Sequence, residues 1–259
     1  MRIDIMTLFP DSVDAMLNVS IIGRAQERGY LTIATHQIRE FTTNKQMQVD
    51  DYPYGGGRGA IMQADPLYRC HRHIIEEFGE GHTIYLSPCG RTFDQQVAKQ
   101  LKRDYDHFIL VCGHYEGIDE RFIEECVDEE ISLGDFVLTG GEIPAMAVAD
   151  ALARMEPGVL PEEACYTEES HWDKLLEYPQ YSRPEEWHGR KVPEVLLSGH
   201  HGKVAEWRKK ESYKRTMRRR PDLFRAFDES KLETKAERRL LQQAREEFKA
   251  EQTATEEEL

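Results

Sequence analysis

The residues of this chain that could do chemistry gather around glycine-rich turns. The densest stretch is Ile109–Pro144, ILVCGHYEGIDERFIEECVDEEISLGDFVLTGGEIP. Gly113 and Gly117 bracket a first turn there, and Gly134, Gly140 and Gly141 punctuate a second. The acids Glu116, Asp119, Glu120, Asp135 and Glu142 are set among them, and neither turn holds a lysine. A phosphate cradle is built from backbone N–H groups and favours cations. Carboxylates without lysine suit an adenosine or another uncharged ring held by backbone groups. Pro53-Tyr54-Gly55-Gly56-Gly57-Arg58-Gly59 is a further glycine turn that fits neither a P-loop nor a dinucleotide fingerprint. Its glycines permit backbone conformations that let a flat ligand approach closely. Ser87-Pro88-Cys89-Gly90 forms another turn, at the end of an apolar run.

A few side chains could move a proton or stabilise charge. His114 lies inside the first turn and could act as a general base or as a hydrogen-bonding wall residue. Arg154 ends a helical pattern just before Pro157-Gly158, a position where arginine also caps a helix dipole. Glu168 and Glu169 are paired acids before Ser170, in a stretch whose plainest reading is solvent exposure.

The elements that must position these groups alternate. Arg2–Phe9, Leu31–Ile38, His82–Ser87 and His107–Cys112 read as strands, with another near Ile131–Leu133. Helices are expected after Asp11, which could cap the first, over Asp65–Phe78, Asp94–Arg103 and Ile143–Met155. The Ile109–Pro144 stretch thus reads strand, turn, helix, strand, turn, helix. Strands alternating with helices imply an α/β fold with a mostly parallel sheet. Asn44–Ala60 is a long polar loop, and such loops are usually functional. We divide the chain into an α/β domain at 1–160, an interdomain linker at 161–183, a helical domain at 184–249 and an acidic frayed tail at 250–259. Helices are expected over His200–Arg219 and Ser230–Lys249, with Pro221 between them.

The chain has 259 residues, 39% of them hydrophobic and 32% charged, and a net charge of −14. No apolar run is long enough to span a membrane. The N-terminus lacks the apolar segment of a signal peptide. Five scattered cysteines without a CxxC spacing favour a reducing, cytoplasmic setting and argue against disulfides or zinc. The acidic total disfavours nucleic acid, but charge is unevenly spread. Lys203–Arg220 holds nine Lys or Arg against two Glu, whereas Glu246–Leu259 holds six Glu against one Lys. The basic stretch could track a phosphate backbone or form a solvated helix face.

Several segments, taken in order, resemble the bacterial tRNA (guanine-N1)-methyltransferase family, TrmD, of the knotted SPOUT class. They are LFP (Leu8–Pro10), VDDYPYGGGRG (Val49–Gly59), YLSPCGR (Tyr85–Arg91), LVCGHYEGIDER (Leu110–Arg121), Ser132–Pro144, PGVL (Pro157–Leu160), TEES from Thr167, SRPEEW (Ser182–Trp187) and VPEVLLSGHH (Val192–His201). The resemblance implies an α/β SPOUT domain containing a deep trefoil knot, followed by a small helical C-terminal domain. It implies a homodimer with shared active sites and a tRNA anticodon arm as partner; no membrane partner is expected, on the apolar-run reading above.

It also implies S-adenosylmethionine as methyl donor. The matching positions are Leu86, Ser87, Pro88, Cys89 and Gly90, then Gly113, Tyr115, Glu116 and Gly117, then Ile131, Ser132, Gly134, Val137, Leu138, Gly140, Gly141 and Pro144. The implied reaction methylates N1 of guanosine 37, next to a preceding G. Guanine N1 must lose its proton to become a good nucleophile, and O6 then gains charge. Arg154 matches the family's O6-stabilising arginine. The family's aspartate base falls on Glu169, a departure that lengthens the side chain by one methylene; Glu168 competes for the role. Tyr54, Gly55, Gly56, Gly57 and Gly59, with Glu116, match positions around the target guanosines, and Arg218 and Arg219 are candidate RNA contacts. The resemblance implies a magnesium dependence, with no ligands assigned. Two other readings of the residues are a knotted methyltransferase for another RNA site and a non-catalytic nucleotide- or RNA-binding protein.

Overall fold

The computed structural model describes residues 1–257, with side chains through residue 253. The chain divides into two compact units, Met1–Cys165 and Tyr166–Leu259. In the first, the elements run β1 (Arg2–Thr7), α1 (Pro10–Leu17), α2 (Ser20–Glu27), β2 (Thr32–Gln37), β3 (Asp50–Asp51), β4 (Ile61–Met62), α3 (Ala64–Phe78), β5 (His82–Thr92), α4 (Gln95–Asp104), β6 (His107–Cys112), α5 (Glu120–Cys126), β7 (Glu129–Ser132) and α6 (Glu142–Ala153). A short helix α7 (Ala164–Thr167) spans the boundary between the units.

The main sheet has five strands in the order β2-β1-β6-β5-β7, every neighbouring pair parallel. Parallel strands are covered on both faces and so read as continuous apolar runs. The central strand β6 shows this plainly: Phe108, Ile109, Leu110, Val111 and Cys112 are all fully buried. On one face Met6, Ile109 and Val111 pack with Leu67, Cys70 and Ile74 of α3 and Phe122 of α5. On the other, α6 lies on β1 and β6 and buries Ala145, Val148, Ala149 and Leu152.

Strands β1, β2 and β6 are tied together by a buried charge. Asp4 of β1 has no exposed surface. The Arg2 guanidinium donates to both its carboxylate oxygens at 2.6 and 2.7 Å. His36 Nε2 of β2 and His107 Nε2 of β6 lie 2.7 and 2.8 Å from the same carboxylate. Burial works against the Asp4 charge, yet the hydrogen bonds from His36, Arg2 and His107 win and lower its pKa.

Several elements differ from the sequence expectation. Asp11 does not cap α1: the N-cap is Phe9, Pro10 occupies the first turn, and Asp11 sits beside it facing the helix dipole. Helix α2, too short for a clear period, was not expected. Strand β5 continues past Ser87. Ile131 of β7 is the partner of both Leu86 and Arg91, so Ser87–Gly90 bulges out of a strand that resumes beyond it.

In the second unit the hairpin β8 (Glu186–Trp187) and β9 (Arg190–Lys191) precedes helices α8 (Glu194–Leu197), α9 (His201–Arg219), α10 (Pro221–Arg225) and α11 (Lys235–Glu257). The hairpin turns on His188 and Gly189, both at positive φ (52° and 77°), as a two-residue turn of this kind needs. Leu175, Tyr213, Leu232, Leu241 and Ala244 form the core of this unit. The segment 161–183, read as a linker, is therefore shared out. From Tyr166 it belongs to the second unit, where Leu175 is buried and Ser212 Oγ donates to the Leu176 carbonyl at 2.6 Å.

The last helix starts at Lys235 rather than Ser230. Thr234 and Glu237 form a reciprocal capping box, the Thr234 N–H donating to the Glu237 carboxylate and the Glu237 N–H to Thr234 Oγ1. This helix runs on to Glu257, so residues 250–257 are helical where a frayed tail was expected; residues 258–259 lie outside the described residues.

Candidate functional site

Three loops meet at the C-terminal side of β5, β6 and β7, where α/β sheets hold their ligands. They enclose a cavity of about 530 Å³ lined by Tyr85–Cys89, Gly113–Ile118, Glu130–Leu133 and Phe136–Gly141, with Glu120, Ile123 and Pro144. The structure thus gathers Leu86, Ser87, Pro88, Cys89, Gly113, Tyr115, Glu116, Gly117, Ile131, Ser132, Val137, Leu138, Gly140, Gly141 and Pro144 around one space. Gly90 and Gly134 stand just outside the lining. Gly90 lets two backbones pass, since a Cβ there would lie 2.3 Å from the Glu130 carbonyl carbon. Gly134 holds a turn with Ser132, whose hydroxyl donates to the Gly134 carbonyl at 3.0 Å and accepts its N–H at 3.2 Å.

Glycine is required where the two main loops touch. A Cβ on Gly141 would sit 2.7 Å from the Cys112 Cα, and the Gly141 N–H donates to the Gly113 carbonyl at 2.8 Å. A Cβ on Gly140 would meet both Glu142 Oε2 at 2.5 Å and His114 Nδ1 at 2.6 Å. The second loop is also fastened to β1, because Thr7 Oγ1 donates to Glu142 Oε1 at 2.9 Å. That contact joins residues 135 positions apart, and nothing in the sequence pattern marks it.

The lining carries Glu116, Glu120 and Glu130 and no lysine or arginine. Tyr85, buried beside Gly113, stays a neutral phenol: desolvation, aided by Glu130, pushes its pKa to about 12. His114 is half-buried between Phe9 and Tyr115, and no described group bonds to its Nδ1. A larger cavity, about 1000 Å³, lies at the opposite ends of the strands among His82, Tyr105, Asp106 and Asp128, and none of the residues singled out from the sequence lines it.

The polar loop is docked where it returns to the domain. The Glu116 N–H donates to the Ala60 carbonyl at 3.0 Å and the Met62 N–H to the Gly117 carbonyl at 2.9 Å. The Glu116 carboxylate packs on Gly59, Oε1 lying 2.7 Å from where a Cβ would be. Gly55, Gly56, Gly57 and Gly59 all take positive φ. Tyr54 is fully exposed and borders a separate cavity with Asp119 and Arg121.

Arg154 caps the end of α6 and is half-buried, outside the cavity lining. Glu168 and Glu169 belong to the second unit, where a cleft of about 330 Å³ also includes Asp173, Tyr178, Arg208 and Lys209. Glu168 is exposed and Glu169 half-buried. Their turn is braced on its far side, the His171 N–H donating to the Leu175 carbonyl at 2.8 Å and the Glu177 N–H to Ser170 Oγ at 2.9 Å.

The basic stretch is not a uniform phosphate track. Lys210 pairs with Glu247, Lys214 with Glu211, Glu247 and Glu251, and Arg218 with Glu251, while Arg220 pairs with Asp222. The acidic end of the chain folds back on the basic helix. Among the described residues no carboxylate pairs with Lys203, Arg208, Arg215 or Arg219. The described residues bring no three His, Cys, Asp or Glu side chains together as a metal site. Among them, no helix is long and apolar enough to cross a membrane.

A family model described as tRNA (Guanine-1)-methyltransferase TrmD matches residues 1–226. A tRNA (guanine-N(1)-)-methyltransferase of Ruminiclostridium cellulolyticum is 49% identical over 225 residues, covering 86% of this chain and 96% of the relative. That of Clostridioides difficile is 49% identical over 231 residues, covering 88% of this chain and all of the relative. The crystal structure of a tRNA (m1G37) methyltransferase from Aquifex aeolicus superposes with a TM-score of 0.71 at 37% identity, over 90% of this chain and 99% of that one. With the glycine-loop cavity at the ends of its parallel strands, the chain belongs to the TrmD family of tRNA (guanine-1)-methyltransferases.

Proposed function

We propose that this chain transfers a methyl group from S-adenosylmethionine to N1 of guanosine 37 in tRNA, next to a preceding G. The observation that carries the reading is the acid-lined, lysine-free glycine cavity at the strand ends. Its residues fit the donor. Close-packed Gly113, Gly140 and Gly141 present backbone to a ring, and Glu116, Glu120 and Glu130 complement a ligand bearing a sulfonium and an ammonium group. When bound, S-adenosylmethionine supplies an electrophilic methyl group on positively charged sulfur. Exposed Phe136 and Val137, at 55% and 79%, are apolar surface that a second copy of the chain would cover in a homodimer sharing its active sites.

The chain's own residues then have two tasks at the guanine. Glu169 takes the N1 proton, a general-base role worth roughly 10²–10⁴-fold. Its partial burial on a braced turn favours it over exposed Glu168. Arg154 stabilises the negative charge that develops on O6. Glu116 and the Tyr54–Gly59 loop, docked on each other, face the nucleotides beside the target, and the basic helix follows the RNA backbone. The passage of β5 through Gly90 against Glu130 and Ile131, and the seating of Gly141 on Cys112, are the close backbone approaches that a trefoil knot would require. Among the described residues no three His, Cys, Asp or Glu side chains meet to hold a magnesium ion, and no step is assigned to one.

The test supplies S-adenosylmethionine and an unmodified tRNA transcript with G at positions 36 and 37, and follows primer extension. A new block at position 37 is expected. Donor binding without a block at 37 overturns the reading; methylation elsewhere on the RNA would identify the other-site alternative.

A further inference from the structure

The second unit contains a cleft to which no role has been assigned. It has a volume of about 270 Å³ and is walled by Tyr178, Tyr181, Arg183, Trp207 and Arg208 over an apolar floor of Val192, Leu196 and Val204. Drug-sized ligands occupy roughly 300–1,000 Å³, so this space is on the scale of one nucleobase. The Tyr181 and Trp207 ring centres are 6.4 Å apart and tilted 50°, an open V with a flat wall on each side. Tyr181 is half exposed and Trp207 half-buried, so one ring is anchored and the other is available.

Two cations, Arg183 and Arg208, and one carboxylate, Glu185, edge the cleft. Arg208 Cζ stands 4.8 Å from the centre of the Tyr178 ring. Among the described residues, no carboxylate pairs with Arg183 or Arg208, in contrast to Lys210, Lys214 and Arg218 on the same unit. Single-stranded nucleic acid is held by this combination, aromatic faces for bases and unpaired cations for phosphates. A purely apolar partner would not need the arginines, and an anionic peptide would not need two tilted rings.

The location sharpens the assignment. Tyr178 and Arg208 also wall the cleft that contains Glu168 and Glu169. The two spaces are neighbours, divided by one stacked Arg–Tyr pair. We infer that the Tyr181–Trp207 cleft seats an unpaired nucleotide of the RNA substrate close to the methylated guanosine, its base on the rings and its phosphate on Arg183. The inference rests on the proposed tRNA methyltransferase reading.

The experiment measures steady-state methylation of an unmodified tRNA transcript by the full chain and by Trp207→Ala, Trp207→Phe, Tyr181→Ala and Arg183→Gln, with donor affinity determined separately. Loss of one base–aromatic stack corresponds to a rise in tRNA KM of about tenfold. That rise is expected for Trp207→Ala and Tyr181→Ala, with kcat and donor affinity near wild type, and Trp207→Phe should restore most of it. Arg183→Gln should flatten the dependence of KM on salt, whereas the ring variants should leave its slope alone. Exposed Tyr181 keeps the test valid if Trp207→Ala fails to fold. A wild-type tRNA KM in Tyr181→Ala, or in a folded Trp207→Ala, overturns the inference. So does a change confined to self-association, which would make the cleft a contact between copies. Failure of wild-type enzyme to methylate tRNA would sink the underlying reading instead, and is read in the same assay.

Discussion

Lys210 Nζ on α9 lies 2.6 Å from Glu247 Oε1 on α11, so the most basic and most acidic stretches of the chain neutralise each other in part. Reading charge along the sequence cannot show this, because the partners are 37 residues apart. The consequence is a division of labour within one helix. Arg218 is committed to Glu251, whereas Arg219 has no carboxylate partner among the described residues. Arg219→Glu is expected to raise the tRNA KM several-fold and to lower the salt slope by about one. Arg218→Glu should act mainly on folding, costing on the order of 1 kcal/mol of stability through its lost pair. Thermal melts set beside KM at several ionic strengths separate the two. Equal effects on KM from both would return the helix to a uniform phosphate track.

Gly141 offers a test of the cavity wall. Its φ is ordinary, so the objection to a side chain there is contact alone, 2.7 Å from the Cys112 Cα. Backbone on backbone cannot yield as a flexible side chain can. Gly141→Ala is expected to cost about 1–3 kcal/mol through overpacking. It should also weaken donor binding at least tenfold, because the displaced Gly140–Gly141 and Gly113 backbones form the pocket. Calorimetric titration with S-adenosylmethionine reads the second effect, and unaltered affinity would show that these loops do not hold the donor.

Asp4 and His71 give stability two separate pH dependences. Desolvation lowers the pKa of His71, so the folded state favours neutral imidazole. The unfolded chain binds that proton more readily, and stability should begin to fall as pH drops through about 6.5. Burial works against the Asp4 charge but is outweighed by His36, Arg2 and His107, leaving the pKa lowered. Its contribution is therefore complete above the unfolded carboxylate value and lost below about pH 4. Asp4→Asn should cost on the order of 3 kcal/mol near neutrality, since it strands Arg2 and two histidines. It should also remove the loss below pH 4 while leaving that near pH 6 in place. Urea titrations from pH 7.5 to 3.5 check both arms; an unchanged low-pH slope in the variant would mean that other carboxylates dominate.

The regular parts of this fold were legible because their cause is local. Continuous burial makes β6 a five-residue apolar run, and the capping aspartate of α4 precedes its helix directly. The glycine loops were legible for the same reason, since a backbone that must touch backbone can carry nothing larger. What escaped depends on distance along the chain. The Thr7–Glu142 bond, the burial of Leu175 within a stretch that reads as linker, and the pairing of α9 with α11 each join distant positions. The bulge of Ser87–Gly90 from β5 escaped because its signal, Pro-Cys-Gly after a strand, is that of a strand end.

Glu169 stands where the family resemblance expects the shorter aspartate. Its turn is held by Ser170 Oγ accepting from Glu177, and by positive φ at His171 and Lys174. If that turn sets the backbone back by about one methylene, the carboxylate reaches N1 only as glutamate. Glu169→Asp should then lower kcat by roughly 10²-fold, the usual penalty for a displacement of about 1 Å. Glu169→Gln, which keeps the reach and loses the basicity, should fall by about 10²–10⁴-fold, and Glu168→Gln should stay within twofold of wild type. Donor affinity should hold in all three, because the glycine-loop cavity proposed to hold the donor is lined entirely by residues of the first unit. A fully active Glu169→Asp would mean that the turn tolerates either length. A crippled Glu168→Gln beside an active Glu169→Gln would move the proton transfer one residue toward the N-terminus.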